Sequence, residues 1–174
     1  LWDISPSVAP GSPVFPGDTP FALQWPARIG PGCPVNVSTL TLSPHTGAHA
    51  DAPLHYEDGA AAIGEVALEP YLGRCRVIHA LIAGTGRDPL VRPEHLAHAL
   101  ASLPPRVLVR TYERMPQDRF DEALPAFAPE TIEWLADAGA LLVGIDSASV
   151  DPASSKTLDA HQVLRRRGLR VLEN

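Results

Sequence analysis

Cysteine is scarce in this sequence. Cys33 and Cys75 are the only two, and their spacing leaves no CxxC redox or metal motif. No signal-peptide pattern opens the chain, so a reducing cytoplasm is the expected compartment. Long apolar runs are missing as well, with nothing near the roughly 18 consecutive apolar residues of a membrane-spanning helix. Positive charge is thin. The net charge is −6, Lys156 is the sole lysine and Arg165-Arg166-Arg167 is the only basic block. That balance argues against a nucleic-acid or anionic-membrane surface and for a small-molecule substrate. Gly84-Thr85-Gly86 lacks the third glycine or the Lys-Ser/Thr of a phosphate loop and reads as a turn. What remains, 174 residues with 45% hydrophobic content, suffices for one domain over 1–174 and is too little for two ordinary ones.

Histidine is dense in one place. His45, His49 and His55 share an eleven-residue stretch with Asp51, in Ser43-Pro44-His45-Thr46-Gly47-Ala48-His49-Ala50-Asp51-Ala52-Pro53-Leu54-His55. Imidazole nitrogen and ionised carboxylate are ligands common to zinc, manganese and iron, and a site that keeps an exchangeable water can hydrolyse. The spacing of His45 and His49 would suit one helix face, as in HExxH proteases. Pro44, Gly47 and Pro53 oppose that helix, and the HExxH glutamate is missing. The β-branched Val35–Leu42 stretch before it predicts extended chain instead. On a strand, His45, Gly47, His49 and Asp51 share one face, with Gly47 making room for two imidazoles. The plainer alternative is a polar loop whose histidines only hydrogen-bond.

Along the chain, residues 1–34 read as short strands joined by Pro/Gly turns, with Phe15 beside the Pro16-Gly17-Asp18 turn. Residues 74–82 and 106–110 read as strands, and His79 as a core histidine. Pro93–Leu100 and Pro129–Ala138 are predicted helices, the second closed by Gly139, and His95 and His98 sit on an exposed face of the first. Ala140–Asp146 is an apolar strand buried on both faces, whose terminal Asp146 faces a site. Leu158–Arg167 is a helix with its arginines in the last turn, where they favour the dipole, and Gly168 ends it. Residues 169–172 alternate into a last strand, with Glu173 at its end. The order implies an α/β architecture, though the early short strands argue against a plain doubly wound sheet.

The sequence His45-Thr46-Gly47-Ala48-His49-Ala50-Asp51-Ala52-Pro53-Leu54-His55 resembles the HxGTHxDxPxH signature of the metal-dependent cyclase family, most closely its bacterial kynurenine formamidase (arylformamidase) branch. Further matching pieces are Leu1–Ser5, Pro13–Asp18, Val143–Asp146 and Ser155–His161, so the likeness covers nearly the whole chain. It implies a swivelling β/β/α fold and two zinc ions per subunit. It assigns His45, His49 and Asp51 to the first ion and Asp51, His161 and Glu173 to the second; His161 and Glu173 would not be picked from spacing. His55 is then the proton carrier, or a residue orienting the ligands. Phe15 falls where that branch usually has a tryptophan lining the substrate pocket, and reads either as pocket wall or as core. The implied reaction is hydrolysis of N-formyl-L-kynurenine to kynurenine and formate, in a homodimer. Alternatives are another cyclase-family hydrolase acting on a lactam, cyclic imide or ester, or a metal-binding protein without turnover. The family continues past the glutamate matched by Glu173, so a C-terminal segment is expected to be missing and Glu173 to be poorly anchored.

Overall fold

Among the described residues the chain forms nine strands and three α-helices, of which the two-residue strands Leu90–Val91 and Ala126–Phe127 fall where the sequence predicts none. The structure, a computed structural model, describes residues 3–99 and 103–174; Leu1, Trp2 and the predicted helix end at Leu100 lie outside the described residues. In chain order the elements are β1 (Ala22–Ala27), β2 (Val37–Thr41), β3 (His49–Ala50), β4 (Cys75–His79), β5 (Leu90–Val91), α1 (Pro93–Leu96), β6 (Arg106–Arg110), β7 (Ala126–Phe127), α2 (Pro129–Asp137), β8 (Leu142–Ile145), α3 (Asp159–Arg167) and β9 (Arg170–Glu173).

The central sheet runs β3-β9-β8-β6-β4. Its β4, β6, β8 and β9 are parallel, and β3 closes one edge antiparallel to β9. Such a parallel array needs helical crossovers, and α2 and α3 lie between β6, β8 and β9 in the chain. Ile132 and Leu135 of α2 and Ala160, Val163 and Leu164 of α3 pack into one core with Ile78, Val107, Val109, Val143, Ile145 and Val171 of the sheet. Their spacing of three and four residues is that of one helix face. All four residues of β8 are buried, as the apolar run predicted. Gly139 at φ +90° and Gly168 at φ +65° end α2 and α3 in the left-handed region. The three arginines closing α3 reach carboxylates: Arg165 to Glu57 at 2.8 Å, Arg166 to Glu133 at 3.0 Å and Arg167 to Glu133 and Asp137 at 2.6 Å each.

Several expectations need correction. His79 is exposed, because strand alternation sends Ile78 into the core and its neighbour outward. Asp146 does not face the histidine cluster. It accepts bonds from the Thr111 N–H (2.6 Å), the Thr111 hydroxyl (2.7 Å) and the Tyr112 N–H (3.2 Å), tying the end of β8 to the segment after β6. Outside this sheet, β1 and β2 form an antiparallel hairpin and β5 pairs with β7. The hairpin stands apart from the core: all but Ala27 of its strand residues are exposed.

Candidate metal centre

The histidine stretch is a turn followed by a two-residue strand, not one continuous strand. The N–H of His45 donates to Ser43 Oγ (3.1 Å) and that of Thr46 to the Ser43 carbonyl (3.2 Å). Gly47 takes φ +67°, and a Cβ there would lie 2.6 Å from the Val8 side chain. Glycine is therefore required by the turn and by Val8, not by the approach of two imidazoles. The turn releases into β3, where His49 lies directly opposite Glu173 of β9. Asp51 follows, 1% exposed, and Pro53 opens a one-turn 3-10 helix that carries His55.

The opposite side comes from α3 and β9. His161 sits in the first turn of α3 and is 2% exposed; Glu173 is 4% exposed on the same strand face as Val171. Glu173 is firmly held, contrary to expectation. It pairs through β9 and accepts the Val150 N–H at 2.7 Å.

All six candidate residues converge. His45 Nδ1 lies 3.0 Å and His49 Nε2 3.3 Å from Asp51 Oδ1, and these two nitrogens are 3.1 Å apart. On the other side, His161 Nε2 is 3.3 Å from Asp51 Oδ2 and 3.6 Å from Glu173 Oε1, while Glu173 Oε2 is 3.6 Å from His49 Nε2. Ligand atoms of His45, Asp51 and His55 fall within 4.8 Å of one another, as do those of His49, Asp51 and Glu173. The His55 ring lies 4.2 Å from that of His45 and 5.8 Å from that of His161.

This set fits a cation. Asp51 Oδ1 is buried with no aligned hydrogen-bond donor among the described residues, although two imidazole nitrogens crowd it. His49 Nδ1 donates to the Gly47 carbonyl (2.8 Å) and His161 Nδ1 to Asp151 (2.6 Å), so in the neutral rings the His161 Nε2 lone pair points at Asp51 Oδ2, while that of His49 faces His45 Nδ1 with oxygens of Asp51 and Glu173 close by. A lone pair against a carboxylate is repulsive unless a proton or a cation intervenes. Burial opposes the charged form of His49, but the Asp51 and Glu173 carboxylates beside it outweigh that and raise its pKa to about 10. His161 rises to about 9, with burial outweighed by bonds to Asp151 and Asp51. Burial would raise Asp51, yet His161, His45 and His49 hold it far below the usual carboxylate range. His55 moves the other way, lowered by burial that the charge of Asp51 only partly offsets.

The Cyclase family model matches residues 2–152. The kynurenine formamidase of Paracidovorax citrulli (strain AAC00-1) is 67% identical over 178 aligned residues, covering 100% of this chain and 81% of that protein. That of Delftia acidovorans (strain DSM 14801 / SPH-1) is 66% identical over 174 residues, with the same coverage. The chain belongs to the cyclase family, in its kynurenine formamidase branch. Its fold is that of the family. A solved structure described as a potential metal-dependent hydrolase with cyclase activity superposes with a TM-score of 0.79 at 22% identity, over 99% of this chain and 79% of that one.

A cavity of about 500 Å³ opens from the centre of this cyclase-family chain, with His45, His55, His161 and Glu173 on its wall. Phe15 lines it and meets Phe120 edge to face, ring centroids 5.1 Å apart, with Tyr112, Met115 and Leu124 completing an apolar side. Phe120, Tyr112 and Met115 escape sequence reasoning because residues 111–125 carry no periodic pattern; the aromatic content of that segment is the only cue. Tyr56 was also missed: its ring packs 5.2 Å from that of His161. So was Asp151. A lone aspartate in a Ser-rich loop carries no signal of its own.

Proposed function

We propose that this chain hydrolyses N-formyl-L-kynurenine to L-kynurenine and formate, with two zinc ions held by His45, His49 and Asp51 and by Asp51, His161 and Glu173. The observation that carries the reading is the identity of about two thirds, over the entire chain, to proteins named kynurenine formamidase. The site chemistry supports it. Three ligand imidazoles with two carboxylates are a zinc-compatible donor set, and Asp51 presents one oxygen to each side. Bound there, a divalent metal supplies Lewis-acid polarisation of the formyl carbonyl and acidifies water.

The remaining steps belong to the chain's own groups. His55, kept neutral by its lowered pKa, accepts a proton from the water that attacks the formyl carbon. It returns that proton to the aniline nitrogen as the C–N bond breaks, so kynurenine leaves as a neutral amine and the acyl part as formic acid, which releases its proton to solvent to give formate. Phe15 and Phe120 offer an aromatic wall for the substrate ring. Lys156, also on the cavity wall and without an ion pair or hydrogen bond among the described residues, suits a substrate ending in a carboxylate.

Two further features belong to this reading. The β1–β2 hairpin exposes Leu23, Trp25, Val37 and Leu40, which supports a homodimer that covers it. Cys33 and Cys75 are free thiols, in keeping with the cytoplasm. The test is to incubate zinc-loaded protein with N-formyl-L-kynurenine and follow kynurenine absorbance. Kynurenine release abolished by a chelator and restored by zinc is expected. No release, with turnover of a cyclic imide, lactam or ester instead, would move the chain to another branch of cyclase chemistry; metal binding without any turnover would make it a binding protein.

A further inference from the structure

The Asp151 carboxylate, at the start of the loop leading into α3, is buried at 2% exposure. Its Oδ1 accepts the Ala160 N–H at 2.8 Å. Its Oδ2 accepts the His161 N–H at 3.1 Å and faces His161 Nδ1 at 2.6 Å. One side chain therefore caps the helix and grips the ring that the helix carries. Leu158, just before α3, sits at φ +52°, so the helix offers no ordinary capping residue and depends on Asp151 from across the loop. A carboxylate has no proton to give, so the Nδ1 side must carry the hydrogen. In the neutral ring the lone pair is thereby confined to Nε2, which lies 3.3 Å from Asp51 Oδ2 and 3.6 Å from Glu173 Oε1.

We propose that Asp151 is a positioning residue that fixes the His161 tautomer and aims its Nε2 at a metal ion shared with Asp51 and Glu173. The inference rests on the two-ion reading given above, but not on the identity of the substrate. Asp151→Asn is the informative change because it keeps the shape and one oxygen for the helix N–H groups. Its amide would meet Nδ1 with a donor, which favours the opposite tautomer and puts a hydrogen on Nε2, where the metal should sit. Outer partners of this type typically contribute about 10- to 100-fold in metal affinity.

The experiment titrates zinc into the full chain against a competing chelator. Wild type should bind two ions, whereas D151N should bind one normally and the other about 10- to 100-fold more weakly. In a His161→Ala background the same change should cost nothing more, because Asp151 acts through that ring. Wild-type affinity for both ions in D151N, or an undiminished further loss in H161A, would overturn the proposal. A measurement on wild type protects against a variant that fails to fold. In the zinc-loaded protein, ¹⁵N NMR of the imidazoles should place the His161 proton on Nδ1 and the metal on Nε2; the reverse arrangement would overturn the assignment. Two zinc ions with no formamide hydrolysis would refute the substrate and leave this inference standing. A wild-type chain that binds no zinc would refute both.

Discussion

The two sides of the centre differ in how they are held. His49, His161 and Glu173 sit on β3, on the first turn of α3 and on β9, nearly sealed, each fixed by a second bond: to the Gly47 carbonyl, to Asp151 and to the Val150 N–H. His45 and His55 sit on turns facing the cavity, with the His45 side chain 29% exposed and His55 more open still. The pKa directions differ as well: carboxylates on the closed side draw protons onto its histidines, while at His55 the loss of water around the ring outweighs the pull of Asp51 and favours the neutral form. A sealed and braced wall suits holding charge; an open one suits moving protons to and from a substrate. Asp51 lies between them and contacts both.

Asp51 is accordingly the change that should erase the difference. Asp51→Asn removes the charge facing His45, His49 and His161 together, so metal content on both sides and activity should fall in step. The expected rate loss exceeds about 10⁴-fold, the upper end for a single acid/base group. Full metal content by elemental analysis with wild-type formamidase activity would show that the two sides do not share this carboxylate.

His55→Ala should separate the sides. The rate is expected to drop about 10²- to 10⁴-fold while most metal stays bound. The loss should be smaller for a formate ester of an acidic phenol, whose leaving group needs little protonation. Loss of metal in this variant would make His55 a ligand, and equal losses on amide and ester would make it structural.

Stability against pH gives a third probe, confined to the closed side. In metal-free protein, His49 and His161 have folded pKa values of about 10 and about 9, above the ordinary 6.5. A raised folded pKa stabilises fully below 6.5, and that contribution is lost as pH rises through the folded values. Chelated protein should therefore melt lower at pH 9.5 than at pH 6, by about 2–4 °C for each kcal/mol lost. Zinc-loaded protein should show no such fall: its ligand nitrogens are already deprotonated while the unfolded histidines still shed protons near 6.5, so it should gain stability from pH 6 to about 7.5 and then level off. Parallel melting curves would mean that the imidazoles are not charged in the metal-free fold.

How much of this was legible in the sequence follows the same division. The open side is local: His45, Asp51 and His55 fall within eleven residues, and their density alone suggested a metal. The closed side is assembled by topology. His161 and Glu173 meet Asp51 and His49 only because β9 inserts between β3 and β8, a pairing no local spacing encodes. Those two residues came from family resemblance. Strand and helix types were readable for β6, β8, α2 and α3, whose apolar patterns are continuous. The turn at residues 44–48 was misread as strand, because β-branched residues before it suggested extension while the Ser43 contacts and the left-handed Gly47 decide the path. Asp151 was invisible for a similar reason, since its partners lie in α3.

The smallest effect is expected at the outer end of the open side, at Phe15. Its ring is 36% exposed and is steadied by the edge-to-face contact with Phe120, so it is a wall rather than a core residue. A substrate aryl ring placed against it gains an aromatic contact worth about 0.5–1.5 kcal/mol beyond area burial. Phe15→Ala should therefore lower kcat/KM for an aryl formamide by about 2- to 13-fold relative to an alkyl formamide. Metal content and the pH dependence of melting should not move, because neither Phe15 nor Phe120 is among the ligand candidates. Phe15→Trp should keep the preference, since a larger ring preserves the aromatic face. An equal loss on both substrates would take Phe15 off the substrate's path, and a fall in metal content would tie the cavity wall to the centre itself.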